Sequence, residues 1–336
     1  MKTRFRNSFI LLAVILLAAF TLPFFAGEYI IHIGVLVLFY AYMAVAWNIL
    51  GGYAGQHSLG HALFMGIGAY TSTYLFTRMG LTPWLGMWVG GALAGLTGWF
   101  VGYLCFRYGL KGPYFALVTI AMAEAAVYIV NNMSAVGGAQ GLEVAWVGRE
   151  GGAPLLMQFD GKGGYYYVIL VMTVLSVWLS SWLIKRRFGY QLVSVRENED
   201  AAEALGVDTL RVKIQASIIS AIMTALGGTF FAQYFTYINP RNVFGEGPSV
   251  QILLFAIIGG LGTVWGPVVG ALVLVPVAEL SRSWLGGSFA GAHILLYGTV
   301  MVLVMLFMPN GIVGLYEKIR AQLKSRSSND GKSEAS

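Results

Sequence analysis

Long apolar runs separated by short polar or Gly/Pro-rich punctuation recur along almost the whole chain. They fall near residues 8–26, 29–50, 58–77, 83–106, 113–130, 165–184, 212–237, 249–261, 266–280 and 292–308. A helix of about 20 apolar residues spans the hydrocarbon of a bilayer, because it satisfies its own backbone where no water is available. The pattern predicts an all-α polytopic membrane protein with about ten transmembrane helices. Eight or nine is the alternative count: the glycine-rich third run reads as one helix or a half-helix pair, the fourth is long, and the eighth and ninth read as two helices, one long broken helix or a re-entrant pair. No soluble-type boundary interrupts the runs, so residues 1–324 are expected to form one transmembrane domain. The Ser-rich, charged tail 325–336 lacks apolar periodicity and is expected to be disordered.

Composition agrees with a lipid environment. Hydrophobic residues make up 57% and charged residues 11% of the chain, against about 25% charged in soluble domains. The 44 glycines suit helices that approach closely or break around a pathway. The net charge of +6 does not form a basic patch interleaved with aromatics, as a nucleic-acid surface would. Lys and Arg sit instead at the ends of runs. Lys2, Arg4 and Arg6, then Arg107 with Lys111, then Lys185–Arg187 with Arg196 and Arg211, and finally the basic tail fall on alternate connections. Positive-inside placement then puts both termini in the cytoplasm. The run after Arg6 is long for a signal peptide and lacks a clear cleavage site, so a retained first helix is expected. Trp84, Trp88, Trp178, Trp182 and Trp284 lie towards span ends, as interface anchors do. Cys105 has no second cysteine to pair with and reads as packing.

The most informative polar segment is the loop 185–213. Ser194 and Glu197 fit a capping box, acidic residues crowd the following turn, and Gly206 fits a left-handed stop. A short capped helix with Ala201 and Leu205 on one face suits docking to a protein; its acidic face disfavours an anionic membrane. Asp200-Ala201-Ala202 followed by Gly206 resembles the EAA…G coupling loop of ATP-binding-cassette importer permeases, with Asp in place of the usual Glu and without the later Ile-x-Leu-Pro element. By that resemblance Glu199, Asp200, Ala201, Ala202, Glu203, Leu205 and Gly206 form the ATPase-coupling segment.

Further stretches narrow the resemblance. NILGGYAGQHSLGHA at 48–62, GPYFA at 112–116, GGAQGL at 137–142, GGLGTVWGP at 259–267 and PNG at 309–311 are similar, in order and spacing, to the LivM family of branched-chain amino acid permeases. The resemblance implies a multi-pass inner-membrane subunit of an importer for leucine, isoleucine and valine. Urea, amides or aromatic acids are the alternative cargo within the same machine. It also implies a LivH-like second permease, two cytoplasmic LivG/LivF-like ATP-binding subunits and a periplasmic or lipid-anchored binding protein. No phosphate-binding Gly-x-x-x-x-Gly-Lys-Ser/Thr loop occurs in the sequence, so ATP and Mg are expected to be used by partner subunits, with no cofactor on this chain and no enzymatic activity of its own.

Pathway candidates are Asn48, Gln56, His57, Ser58 and His61, grouped around a glycine-rich break whose freed backbone can meet a zwitterionic solute. The rival reading is a packing turn in which the same side chains satisfy the broken backbone. Gly51, Gly52, Gly60, Gly260, Gly262 and Gly266 are read as structural turn glycines. His57 and His61 lack a third ligand, so no metal site is expected. Glu124, in mid-span, requires a partner or a watery cavity, since an unpaired carboxylate there costs about 2.5 kcal/mol or more. Glu279 and Arg282 read as an interfacial pair. A proton- or sodium-coupled secondary transporter would need more intramembrane acids than Glu124, and an intramembrane enzyme would need a carboxylate beside Ser58 and the two histidines.

Overall fold

A computed structural model describes residues 17–147 and 152–285, together with 298–299, 302, 306 and 311–314. Residues 17–25 are helical. The helices that follow are α1 (Glu28–Asn48), α2 (His61–Met79), α3 (Pro83–Arg107), α4 (Pro113–Asn131), α5 (Lys162–Ile184), α6 (Arg187–Glu197), α7 (Glu199–Ala204), α8 (Thr209–Phe235), α9 (Pro240–Phe244), α10 (Glu246–Gly260) and α11 (Gly266–Leu285). Their ends follow local chemistry. Pro83, Pro113 and Pro240 open α3, α4 and α9, where a missing N–H costs nothing and φ is already helical. Gly80 closes α2 in the left-handed region at φ 64°, which a residue without Cβ adopts freely. Among the described residues seven helical segments are long and apolar enough to cross a membrane.

Contacts fix the relative directions. α1 runs antiparallel to α8, since His32 Nδ1 meets Tyr234 Oη, Tyr42 donates to Met223 O and Ser220 donates to Ala46 O. α2 runs parallel to α8: His61 meets Ser220, and Thr229 donates to Gly68 O. One end of the bundle thus gathers the chain break 49–60, the turn after α3, the 185–208 loop and the turn after α10. The other end carries a two-stranded patch, β1 (Leu142–Glu143) antiparallel to β2 (Tyr237–Ile238), and α9.

Beside a buried apolar core that includes Trp47, Phe115 and Phe230, the helices also expose large apolar side chains and bury small polar ones. Trp88, Leu96, Leu117, Val171, Leu175 and Trp178 are exposed, while Thr73, Ser180, Ser220, Thr224 and Thr229 are buried. Packing between helices rests on small residues. In α3, Gly86 and Gly90 face Ser72 and Gly68 of α2, while Gly98 and Gly102 face Ser217 of α8, and Ser217 donates to Gly98 O at 2.9 Å. Where lipid tails are as apolar as leucine, such close approach and polar stitching replace the hydrophobic drive of water.

Several boundaries differ from the apolar runs. α2 starts at His61 and continues unbroken to Met79, so the third run is one helix and the break precedes it. α10 and α11 are separate helices packed on each other, not one broken helix. Hydropathy fades in both places because glycine and polar positions face protein, not lipid. Most of 292–308, the side chain of Trp284, residues 1–16 and the tail 325–336 lie outside the described residues.

Candidate functional site

The loop between α5 and α8 is two helices, not one. Ser194 donates to Gln191 O within α6, so the Ser194–Glu197 capping box does not form. α6 continues past it because Leu192 and Val195 are buried. The cap is Asn198, extended at φ −160°, whose side chain accepts from Ala201 N at 3.0 Å. Glu199 and Asp200 then occupy the first turn of α7, Gly206 turns the chain at φ +84°, and Asp208 caps α8 by accepting from Arg211 N at 2.9 Å.

α7 has two faces. Ala202 is buried, and Glu199 is tied inward by the ammonium groups of Lys213 and Lys111. Lys213 itself is buried and stands 5.0 Å above the Phe106 ring. Burial of Glu199 would raise its pKa, but its hydrogen bonds and charge pairing with Lys213 and Lys111 outweigh this and hold the carboxyl below the usual range. The same contact raises the Lys111 pKa. The outward face presents Asp200, Ala201, Glu203, Ala204 and Leu205, with Leu205 85% exposed.

Arg196, which motif reading passed over, connects this loop to the glycine turns. Its guanidinium donates to Glu197 Oε1 at 3.1 and 2.7 Å and to Gly52 O at 3.1 Å. A side chain at Gly262 would overlap the same guanidinium. Gln56 lines a cleft of about 230 Å³ against Arg196 and Asn198.

At the break, α1 ends in a π-helical turn, Ile49–Tyr53. Asn48 is fully buried; its amide donates to Thr263 O at 2.9 Å and its Oδ1 accepts from Gly262 N at 3.0 Å. It therefore cross-links the break to the turn after α10. A Cβ on Gly52 would overlap Asn48 Oδ1, one on Gly51 the Trp47 indole, and one on Gly60 the Thr119 carbonyl. Gly260 and Gly262 hold φ +131° and +70°, and Gly266 lies against Gly260 O.

Ser58 and His61 are equally committed. Ser220 gives its one hydroxyl hydrogen to Ala46 O, so proton accounting assigns the neutral Nε2–H form to His61, donating to Ser220 Oγ at 2.7 Å. His61 Nδ1 then accepts from Ser58 Oγ at 3.1 Å, while Ser58 Oγ accepts from Gly60 N. Asn48, Ser58 and His61 thus spend their polar atoms on the protein. His57 is exposed and Gln56 half-buried, its amide donating to Ala54 O. Glu124 lies half-buried on α4 and accepts from Glu246 N, at the start of α10, at 3.3 Å, on the helix whose Thr119 accepts from Leu59 N of the break.

Sequence comparison follows the same line. The family described as branched-chain amino acid transport system / permease component matches residues 29–308. The chain belongs to this permease family. The LivM high-affinity branched-chain amino acid transport system permease protein of Escherichia coli (strain K12) is 29% identical over 333 residues, 93% of this chain and 76% of the relative. The LivH protein of Salmonella typhimurium is 25% identical over 288 residues, 82% of this chain and 91% of the relative. A probable LivM of Methanocaldococcus jannaschii is 24% identical over 66% of each chain. No solved structure matches.

Within this permease-family chain, Glu279 and Arg282 pair at 3.3 Å, and Trp84 donates to Pro154 O at the end carrying β1 and β2. Among the described residues no group of three or more His, Cys, Asp or Glu side chains converges. Arg196, Asn198, Lys111 and Lys213 were not singled out by motif. The signal for Arg196, Lys111 and Lys213 was a charge set near the end of an apolar run, which says that a residue sits at an end but not what it touches; the signal for Asn198 was an N-cap residue type directly before the acidic turn.

Proposed function

We propose that the chain is one membrane-spanning permease subunit of an ATP-binding-cassette importer that carries branched-chain amino acids across the bacterial inner membrane. Family membership over residues 29–308 supports the reading most strongly. The bundle end that gathers Arg107, Lys111, Lys185–Arg187 and Arg211 faces the cytoplasm, by the positive-inside rule. The seven helices long and apolar enough to cross among the described residues, with α2 and the apolar runs 8–26 and 292–308 of the sequence, make about ten spans and leave both termini on that side.

ATP and Mg act on two cytoplasmic ATP-binding subunits, and α7 is the segment that docks in them. Asp200, Ala201, Glu203, Ala204, Leu205 and Gly206 make the contact. Glu199 and Ala202 hold the helix to the bundle. Arg196 relays a displacement of α7 to the turns at Gly52 and Gly262, and Asn48 ties those turns together, so both breaks move as one body. Gln56, His57 and Glu124 border the pathway. A LivH-like permease completes the membrane unit, and a periplasmic or lipid-anchored binding protein delivers the amino acid.

The test is uptake of labelled leucine into proteoliposomes holding this chain, a LivH-like permease, both ATP-binding subunits and the binding protein. Uptake should require ATP and vanish on omission of any component. Uptake by this chain alone on a proton or sodium gradient contradicts the proposal, and an ATP-driven response to urea or an aromatic acid alone changes the cargo.

A further inference from the structure

At the end of the bundle opposite α7, a cavity of about 550 Å³ opens between α1, α2, α4, α8, α9, α10 and α11, a size typical of small-molecule sites. Its wall carries both signs of charge: the carboxylates of Glu124 and Glu246 and the guanidinium groups of Arg241 and Arg282. Arg282 is paired with Glu279. Glu124, Glu246 and Arg241 make no ion pair within 4.0 Å among the described residues. The facing wall is aromatic: Phe39 stands 5.7 Å from Phe231, and Phe231 4.4 Å from Phe235. Between the two, Tyr40 donates to Gln251 Oε1 at 2.9 Å.

A carboxylate held in mid-span with a single long backbone hydrogen bond is costly unless water or a cation reaches it. Its exposure to a cavity that also presents a free guanidinium is the arrangement that suits a solute bearing both charges. A purely anionic ligand would meet Glu124 and Glu246, and a purely cationic one Arg241. The aromatic wall adds a place for an apolar group a few ångströms from the charged head.

We propose that this cavity is a binding site for a zwitterionic amino acid with an apolar side chain, with Glu124 receiving the ammonium group, Arg241 the carboxylate, and Phe39, Phe231 and Phe235 the side chain. The inference rests on the permease reading above and adds the place where the solute is held. A phosphoethanolamine lipid headgroup shares the ammonium-plus-anion chemistry, so the test separates the two.

The experiment uses the complex of both permeases and both ATP-binding subunits in nanodiscs, without ATP or binding protein, and follows binding of tritiated leucine. Leucine should displace the label at least about tenfold better than leucinol, which lacks the carboxylate, 4-methylpentanoate, which lacks the ammonium group, or glycerophosphoethanolamine. Glu124→Gln should erase the preference over 4-methylpentanoate, and Arg241→Gln the preference over leucinol, each leaving the other preference in place. Three results overturn the site: no saturable binding by a complex that transports leucine, unchanged preferences in both variants, or displacement by glycerophosphoethanolamine as strong as by leucine. A complex that transports no amino acid at all overturns the permease reading instead.

Discussion

Gly52 has no space for a methyl group, because the position its Cβ would take is filled by the Asn48 carboxamide oxygen, itself bonded to Gly262 N. Gly52→Ala should therefore disturb three segments at once. We expect a loss of about 1–3 kcal/mol of stability, the usual cost of overpacking, read as a lowered Tm of the purified protein, whereas Gly161→Ala, with open space around it, should be near neutral. Glu199 supplies a second residue-scale prediction. Its folded-state pKa lies below the ordinary 4.5, so its contribution is fully present above that value and is lost as pH falls through the folded pKa. Hydrogen exchange of the amides in 199–207 should accelerate in that acid window. Glu199→Gln should leave the nearly buried Lys213 ammonium uncompensated, at a cost of about 3–5 kcal/mol, and flatten the acid dependence. Unchanged exchange in the variant would remove Glu199 from its anchoring role.

At the scale of elements, α7 is too short to persist by itself and stands on its cap and anchors. Asn198→Ala should cost about 1 kcal/mol and Asn198→Asp much less, because both Asn and Asp accept from the first-turn N–H; circular dichroism is too coarse, and exchange of the Ala201 amide is the suitable readout. The helices themselves were legible in the apolar runs, and so were the Gly206 stop and the Glu279–Arg282 pair, because each depends on neighbours in sequence. The capping box at Ser194 was misread because a local motif carries no information about Leu192 and Val195 burying the same turn. Arg196 meeting Gly52, Asn48 meeting Gly262 and Glu124 meeting Glu246 were not legible: each joins residues more than a hundred positions apart, and periodicity sees a few turns. Those contacts divided the pathway candidates into Asn48, Ser58 and His61, engaged with the protein, and Gln56, His57 and Glu124, which face clefts or solvent.

For the whole molecule, α8 is the axis against which α1, α2 and α3 pack, with α5 on the outer side of α1, and the two ends of the bundle differ in kind. One gathers basic residues, both chain breaks and the exposed α7. The other holds the mixed-charge cavity. If the proposed orientation is right, a cysteine at Leu205 is cytoplasmic and one at Met133, exposed at the far end, is not. A membrane-impermeant maleimide on intact cells should label Met133→Cys and spare Leu205→Cys, with buried Cys105 silent; the reverse pattern would invert the topology. If energy enters through α7, ATP-driven leucine uptake by the full complex is lost when this subunit carries Leu205→Asp. Uptake per assembled complex should be abolished while the subunit still inserts and pairs with its partner permease. Undiminished uptake at equal complex levels would contradict it.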